Sequence, residues 1–247
     1  MGSPFSDGEE NIRARLDQCK RQTSELIARD RNHPSVIAWS VANEPIPNNM
    51  RGLLGLEEDD SVEDATGGNA FFEELTSHAR SLDATRPVII VGVMGGSPKS
   101  WMAMSDFIAI NRYYGWYVMS DKLDEARRAL DAEVDALHET HGKPVVMTEF
   151  GADTIAGRHG VDPQLFTEEY QRDCLRIYLD SAAERPWFCG LHVWNFADFR
   201  TAQGISRMGG FNLKGVFTRD RQPKLAAHFL RERWTGPDAD AGGWPKG

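Results

Sequence analysis

Val36-Ile37-Ala38-Trp39-Ser40-Val41-Ala42-Asn43-Glu44-Pro45 is the stretch on which the reading of this chain turns. A short apolar, β-branched run that stops at a carboxylate before Pro or Gly has the pattern of a buried parallel strand with an acid at its C-terminal lip. Pro144-Val145-Val146-Met147-Thr148-Glu149-Phe150-Gly151 repeats that pattern later in the chain. Glu44 and Glu149 are therefore candidates for a paired-carboxylate site.

Outward from these strands, Ile12, Leu16, Cys19, Leu26 and Ile27 predict a one-striped helix over 8–31, before a strand at 36–43. Residues 46–68 are acidic and rich in Gly and Asn, and read as a long loop whose Glu57-Glu58-Asp59-Asp60 run is solvated. Phe71, Phe72, Leu75, Ala79 and Leu82 mark a helix, 87–93 a strand, and 106–111 another strand after a short turn-helix containing Trp101. Leu123, Ala126, Leu130, Val134 and Leu137 mark the helix leading to the strand that ends at Glu149. A helix over 164–185, a strand Cys189–Trp194, a Gly-rich loop over 196–218 and a helix over 223–234 follow.

Five strands alternating with helices predict an α/β fold with a parallel sheet. An eight-stranded barrel needs three more units, so residues 1–234 are expected to form an incomplete (β/α)8 TIM barrel, approximately strands 4 to 8, with 235–247 a disordered tail. Such barrels carry catalytic groups at the C-terminal ends of their strands. An opened barrel exposes the edges of its outer strands, Val36–Ala42 and Cys189–Trp194, to partner pairing.

Composition narrows the function. An apolar content of 40% allows a sizeable core, and 28 basic against 37 acidic residues give a formal charge of −9 with no dense Lys/Arg cluster. Nucleic acid and membrane partners are not expected. Cys19, Cys174 and Cys189 lie in apolar-periodic stretches and are expected as buried free thiols in a cytoplasmic protein. Met1-Gly2-Ser3-Pro4-Phe5-Ser6 fits the short myristoylation pattern, which matches often by chance. His138-Glu139-Thr140-His141 is one residue short of zinc-helix spacing and reads as a solvated helix end. Gly204–Gly209 is one residue too long for a nucleophile elbow, and Gly92–Gly96 lacks phosphate-loop spacing. No metal and no cofactor are expected.

Six blocks occur in order: Asn32–Val36, Asn43-Glu44-Pro45, Asn111–Tyr117, Thr148–Gly151, Trp194–Phe199 and Asn212–Arg219. Together, over about 8–234, they resemble the C-terminal catalytic barrel of the beta-glucuronidases among the family-2 glycoside hydrolases. The last two blocks separate glucuronidases from galactosidases and mannosidases.

The resemblance implies a retaining exo-beta-D-glucuronidase that releases D-glucuronic acid through a covalent glycosyl-enzyme intermediate. It makes Glu44 the general acid/base, Glu149 the nucleophile, and Asn43 the partner of the sugar's 2-hydroxyl. Asn212 and Lys214 match the Asn-x-Lys motif for the glucuronide carboxylate, with Arg207 a second cation nearby. Taken alone, a lysine in a Gly-rich loop reads as surface charge. Tyr113 is expected to hydrogen-bond the nucleophile, Tyr117 to line the sugar pocket, and Trp194 to pack beneath the pyranose ring. Tyr114, Trp116, Phe196 and Phe199 read as core, Arg219 and Lys224 as facing solvent or phosphate-free structure, and His33 as structural. The resemblance also implies upstream strands and β-rich domains in the parent protein, and homo-oligomeric assembly. Another family-2 activity (beta-galactosidase or beta-galacturonidase) and a catalytically inactive fragment are the alternative readings.

Overall fold

The computed structural model describes residues 8–45, 68–93, 99–203 and 207–236, which fall into two compact units, 1–111 and 112–247. The myristoylation pattern, the acidic loop over 46–67, the 94–96 and 204–206 parts of the glycine motifs and the tail from 237 lie outside the described residues.

In the first unit the order is α1 (Glu9–Asp30), β1 (Trp39–Asn43), α2 (Gly68–Leu82), β2 (Val88–Gly92), α3 (Lys99–Met104) and β3 (Ile108–Asn111). The strands run parallel in the order β1-β2-β3, with Trp39 opposite Val88 and Val91 opposite Ala109. All five residues of β2 and all four of β3 are buried, the near-continuous apolar pattern of interior parallel strands. Leu16 of α1 packs with Phe71, Phe72 and Leu75 of α2, Ile90 of β2 and Trp101 of α3, while Ile27, Trp39, Ala79 and Val88 form a second cluster. Asp83, just past α2, ties the start of β1 down: it accepts from Trp39 Nε1 at 3.0 Å and Arg86 at 2.7 Å. β1 is shorter than expected, and Ile37, read as strand, is 77% exposed.

In the second unit α4 (Leu123–His141), β4 (Val145–Phe150), α5 (Glu168–Ala183) and β5 (Phe188–Val193) precede a hairpin of β6 (Phe199–Arg200) and β7 (Phe211–Asn212), then α6 (Leu225–Thr235). β4 and β5 are parallel, and β6 and β7 antiparallel. Gly142 closes α4 in the left-handed region at φ 61°, where glycine lacks the Cβ penalty. Thr167 caps α5 by accepting from Tyr170 N–H, and Glu168 and Glu169 complement the helix dipole. Phe150 stacks on Tyr178 of α5. The hairpin corrects the expected featureless loop over 196–218.

Other expectations are corrected here. Of the three free cysteines only Cys174 is buried, its thiol pushed up to about 12 by desolvation; Cys19 is half-buried and Cys189 exposed. The alternation of β5 buries Phe188 and turns Cys189 outward. Phe196 and Phe199 are 62% and 38% exposed rather than core. His138 is no solvated helix end, because its ring stacks on Trp187 and its Nδ1 bonds the Lys143 carbonyl. α6 runs one residue past the expected boundary, to Thr235.

Candidate active site

The first unit supplies one carboxyl group. β1 delivers Asn43 and Glu44 to its C-terminal end, where Glu44 N–H bonds the Val91 carbonyl at 2.9 Å. Glu44 has φ 52°, a left-handed conformation that costs a non-glycine residue free energy and is concentrated at functional positions. Asn111, the last residue of β3, donates from Nδ2 to Glu44 Oε1 at 2.9 Å and to Asn43 Oδ1 at 3.1 Å. Sequence reasoning placed Asn111 in a motif without giving it a role. Its signal was a buried polar residue closing an otherwise apolar strand.

The second unit carries Glu149 and several charged groups. Half-buried Glu149 lies near the end of β4, and its Oε2 accepts from the Tyr113 hydroxyl at 2.7 Å. The Glu149 carbonyl accepts from Arg112 N–H at 2.9 Å. Arg112 is itself fully buried and forks onto Glu133, with Nε to Oε2 at 2.7 Å and NH2 to Oε1 at 2.6 Å. That pair fixes the backbone that presents Tyr113. Burial pushes the Glu133 carboxyl up, but the Arg112 charge and hydrogen bonds outweigh burial and hold it below the usual carboxylate range.

Beyond Phe150 the chain passes close to Trp194. A Cβ on Gly151 would sit 2.1 Å from the Trp194 carbonyl oxygen, so only glycine permits this approach. Asn195 N–H bonds the Lys214 carbonyl at 3.2 Å, and Trp194 meets Phe199 edge-on. The buried side-chain amide of Asn195 has no hydrogen-bond partner among the described residues, a condition rare enough to mark it as a further candidate contact.

Lys214, which sequence alone would place at the surface, has a fully buried side chain. Its ammonium donates to Asp153 Oδ2 at 2.8 Å and lies 4.8 Å from the Tyr117 ring centre, 5.4 Å from Trp116 and 5.7 Å from Tyr113. Such cation–π contacts favour a charged ammonium in a desolvated place. Asn212 Oδ1 accepts from Lys214 N–H at 3.2 Å. Arg207 NH1 bonds the Tyr117 hydroxyl at 2.6 Å and lies 3.7 Å from Asp153 Oδ2. Tyr113, Tyr117, Glu149, Arg207, Asn212 and Lys214 are thus joined within one unit by a chain of direct contacts. Asp153 belongs to that chain and was not singled out by sequence.

Lys224, expected in solvent or in phosphate-free structure, is buried: its ammonium bonds Asp198 Oδ1 at 2.9 Å and the carbonyls of Thr154 at 2.9 Å and Leu213 at 3.0 Å. Three convergent acceptors offset the loss of water. Desolvation lowers the Lys224 ammonium and raises the Asp198 carboxyl, each opposed by the attraction of the other.

Residues 5–237 match the family described as glycosyl hydrolases family 2, TIM barrel domain. The chain is 44% identical over 211 residues to a beta-glucuronidase of Paenibacillus borealis, covering 85% of this chain and 33% of that protein. It superposes on the beta-D-glucuronidase of Dictyoglomus thermophilum with TM-score 0.78 and 39% identity, covering 94% of this chain and 37% of the other. The Bifidobacterium dentium beta-glucuronidase complexed with coumarin-3-O-glucuronide gives TM-score 0.78 and 42% identity, with 90% and 34% covered. The chain spans about a third of the length of these relatives, which accords with an incomplete barrel. On strands, helices and sequence together, the chain belongs to the family 2 glycosyl hydrolases and represents part of their TIM barrel domain.

Proposed function

We propose that this chain carries the catalytic centre of a retaining exo-beta-D-glucuronidase, which converts beta-D-glucuronides to D-glucuronic acid and an alcohol. The observation that carries the reading is the buried Lys214 ammonium, in a block where Asn212 accepts from the Lys214 backbone N–H. Every retaining glycosidase needs two carboxyl groups, but only a uronide gains from a cation at the sugar's C6. Relatives named beta-glucuronidase support the same substrate class.

In this reading Glu149 attacks the anomeric carbon as the carboxylate, while Glu44 gives a proton to the departing glycosidic oxygen. The sugar is then held as an ester of Glu149, and Glu44, now the base, takes a proton from water that releases it with the anomeric configuration retained. Chemistry requires the two groups to hold opposite protonation states and to flank one bond at about 5–5.5 Å. Tyr113 orients the nucleophile, and Asn43 bonds the 2-hydroxyl. Lys214, Asn212 and Arg207 receive the carboxylate, while Tyr117 and Trp194 line the ring. Charge-assisted bonds of this kind contribute about 1.5–3 kcal/mol. Cytoplasmic residence, completion by upstream strands and β-rich domains, and homo-oligomeric assembly belong to the same proposal.

The test compares 4-nitrophenyl glucuronide with the matching galactoside, using the wild type and Lys214→Ala. The wild type is expected to prefer the glucuronide, and Lys214→Ala to lose about 10- to 100-fold of that preference. Equal turnover of both sugars by the wild type overturns the substrate assignment.

A further inference from the structure

Asp153 lies two residues past Gly151 and is 7% exposed. Its two oxygens do different work. Oδ1 accepts from Leu213 N–H at 2.7 Å, inside the Asn212–Lys214 block, and Oδ2 takes the Lys214 ammonium at 2.8 Å. The same Oδ2 lies 3.7 Å from Arg207 NH1. One carboxylate therefore fixes the backbone before Lys214, the tip of Lys214 and the neighbouring guanidinium.

An ammonium has three N–H donors. Among the described residues Asp153 is its polar partner, and the remaining donors are left to the rings of Tyr113, Trp116 and Tyr117. A buried cation without a counter-ion is costly; paired with one carboxylate it is pinned while keeping donors for a second anion. Two cations, Lys214 and Arg207, face this one carboxylate. A sugar carboxylate accepts from the ammonium donors that Asp153 leaves. A neutral sugar offers no anion to them, which turns a generic sugar pocket into a selective one.

We propose that Asp153 is a specificity-determining positioning residue, which holds the Lys214 ammonium in place and aimed so that the site takes a uronic acid and rejects the matching neutral sugar. The inference rests on the uronide reading given above and assigns Asp153 no contact with substrate.

The test uses the full chain and Asp153→Asn, which keeps an oxygen for Leu213 N–H and removes the charge. Two readouts are taken. The first is the Lys214 side-chain ammonium resonance, with its exchange rate and its coupling across the hydrogen bond to the Asp153 carboxylate carbon. The second is the affinity ratio for D-glucuronate over D-glucose, obtained by chemical-shift titration. In the wild type a slowly exchanging, coupled Lys214 signal is expected. In Asp153→Asn that signal should be lost while the buried Lys224 signal persists, and the affinity ratio should fall at least about tenfold. The wild-type coupling needs no variant, so its absence overturns the proposal even if Asp153→Asn does not fold. A Lys214 signal retained in the variant, or a preference unchanged by the substitution, overturns the proposal and leaves the uronide reading standing. Equal binding of the two sugars by the wild type overturns the uronide reading and the role of Asp153 with it.

Discussion

Glu44 and Glu149 occupy the same kind of place, the C-terminal end of a short parallel strand, yet the two units hold them differently. In the first unit Glu44 sits on a left-handed backbone and meets the neutral amide of Asn111. In the second, Glu149 meets the phenol of Tyr113, whose ring packs 5.0 Å from that of Tyr117, and Tyr117 in turn bonds Arg207 and faces Lys214. The difference teaches that the proposed nucleophile and the charge reader share one unit and its contacts, while the proposed proton carrier belongs to the other. Substrate choice and proton transfer should therefore respond to different substitutions.

The largest expected effect separates the two acids. Glu149→Gln should lower glucuronide turnover by about 10⁴-fold or more whatever the leaving group, since the attacking atom is gone. Glu44→Gln should cost about 10²- to 10⁴-fold with an alkyl glucuronide and clearly less with 4-nitrophenyl glucuronide, whose phenolate leaves without a proton. Steady-state rates on the two substrates read both, and an equal loss in both variants on both substrates would break the comparison.

Next comes the scaffold of the second unit. Glu133→Gln leaves the buried Arg112 guanidinium without its counter-ion and should destabilise the chain by about 3–5 kcal/mol in denaturant unfolding. A loss within the 0–1 kcal/mol typical of surface pairs would refute the pinning role given to Arg112. Because the Glu133 carboxyl is depressed, its contribution is present above the unfolded pKa and disappears as pH falls through the folded one. The stability gap between wild type and variant should accordingly close below about pH 4.

Smallest is the matching effect in the first unit. The Thr85 hydroxyl and backbone N–H, then Arg86 and Trp39, hold the Asp83 carboxyl well below the usual range. Asp83→Asn should lower Tm at pH 7, and the same sign applies: the difference shrinks as pH falls below about 4 and the wild-type carboxylate takes up its proton. A Tm difference that grows on acidification would contradict the assignment.

What sequence could reveal follows from which forces act locally. The helices and both strand-end acids were legible because β-branched runs, three-and-four spacing and a following Pro or Gly are local signals. Lys214 and Lys224 show the limit. Lys214 lies in the Gly-rich stretch and Lys224 at the start of the last helix, yet each is buried against a carboxylate distant in sequence, Asp153 and Asp198. Pairing across such separations leaves no periodicity to read, so the family resemblance alone singled out Lys214, and Lys224 received no role. Asp153 and Asn111 were missed for the same reason, because their partners are tertiary. Phe196 and Phe199 failed in the opposite direction: aromatic character suggested core, but the chain turns them outward around the small hairpin.

The account depends most on Glu149 acting as a nucleophile. Incubating the chain with 2-deoxy-2-fluoroglucuronyl fluoride, followed by peptide mass spectrometry, tests this directly, because the 2-fluorine slows both steps while the anomeric fluoride, a good leaving group, restores formation, so the glycosyl ester accumulates. One stoichiometric adduct on Glu149 is predicted, absent in Glu149→Gln. No adduct, or an adduct on a different carboxylate, would contradict the account.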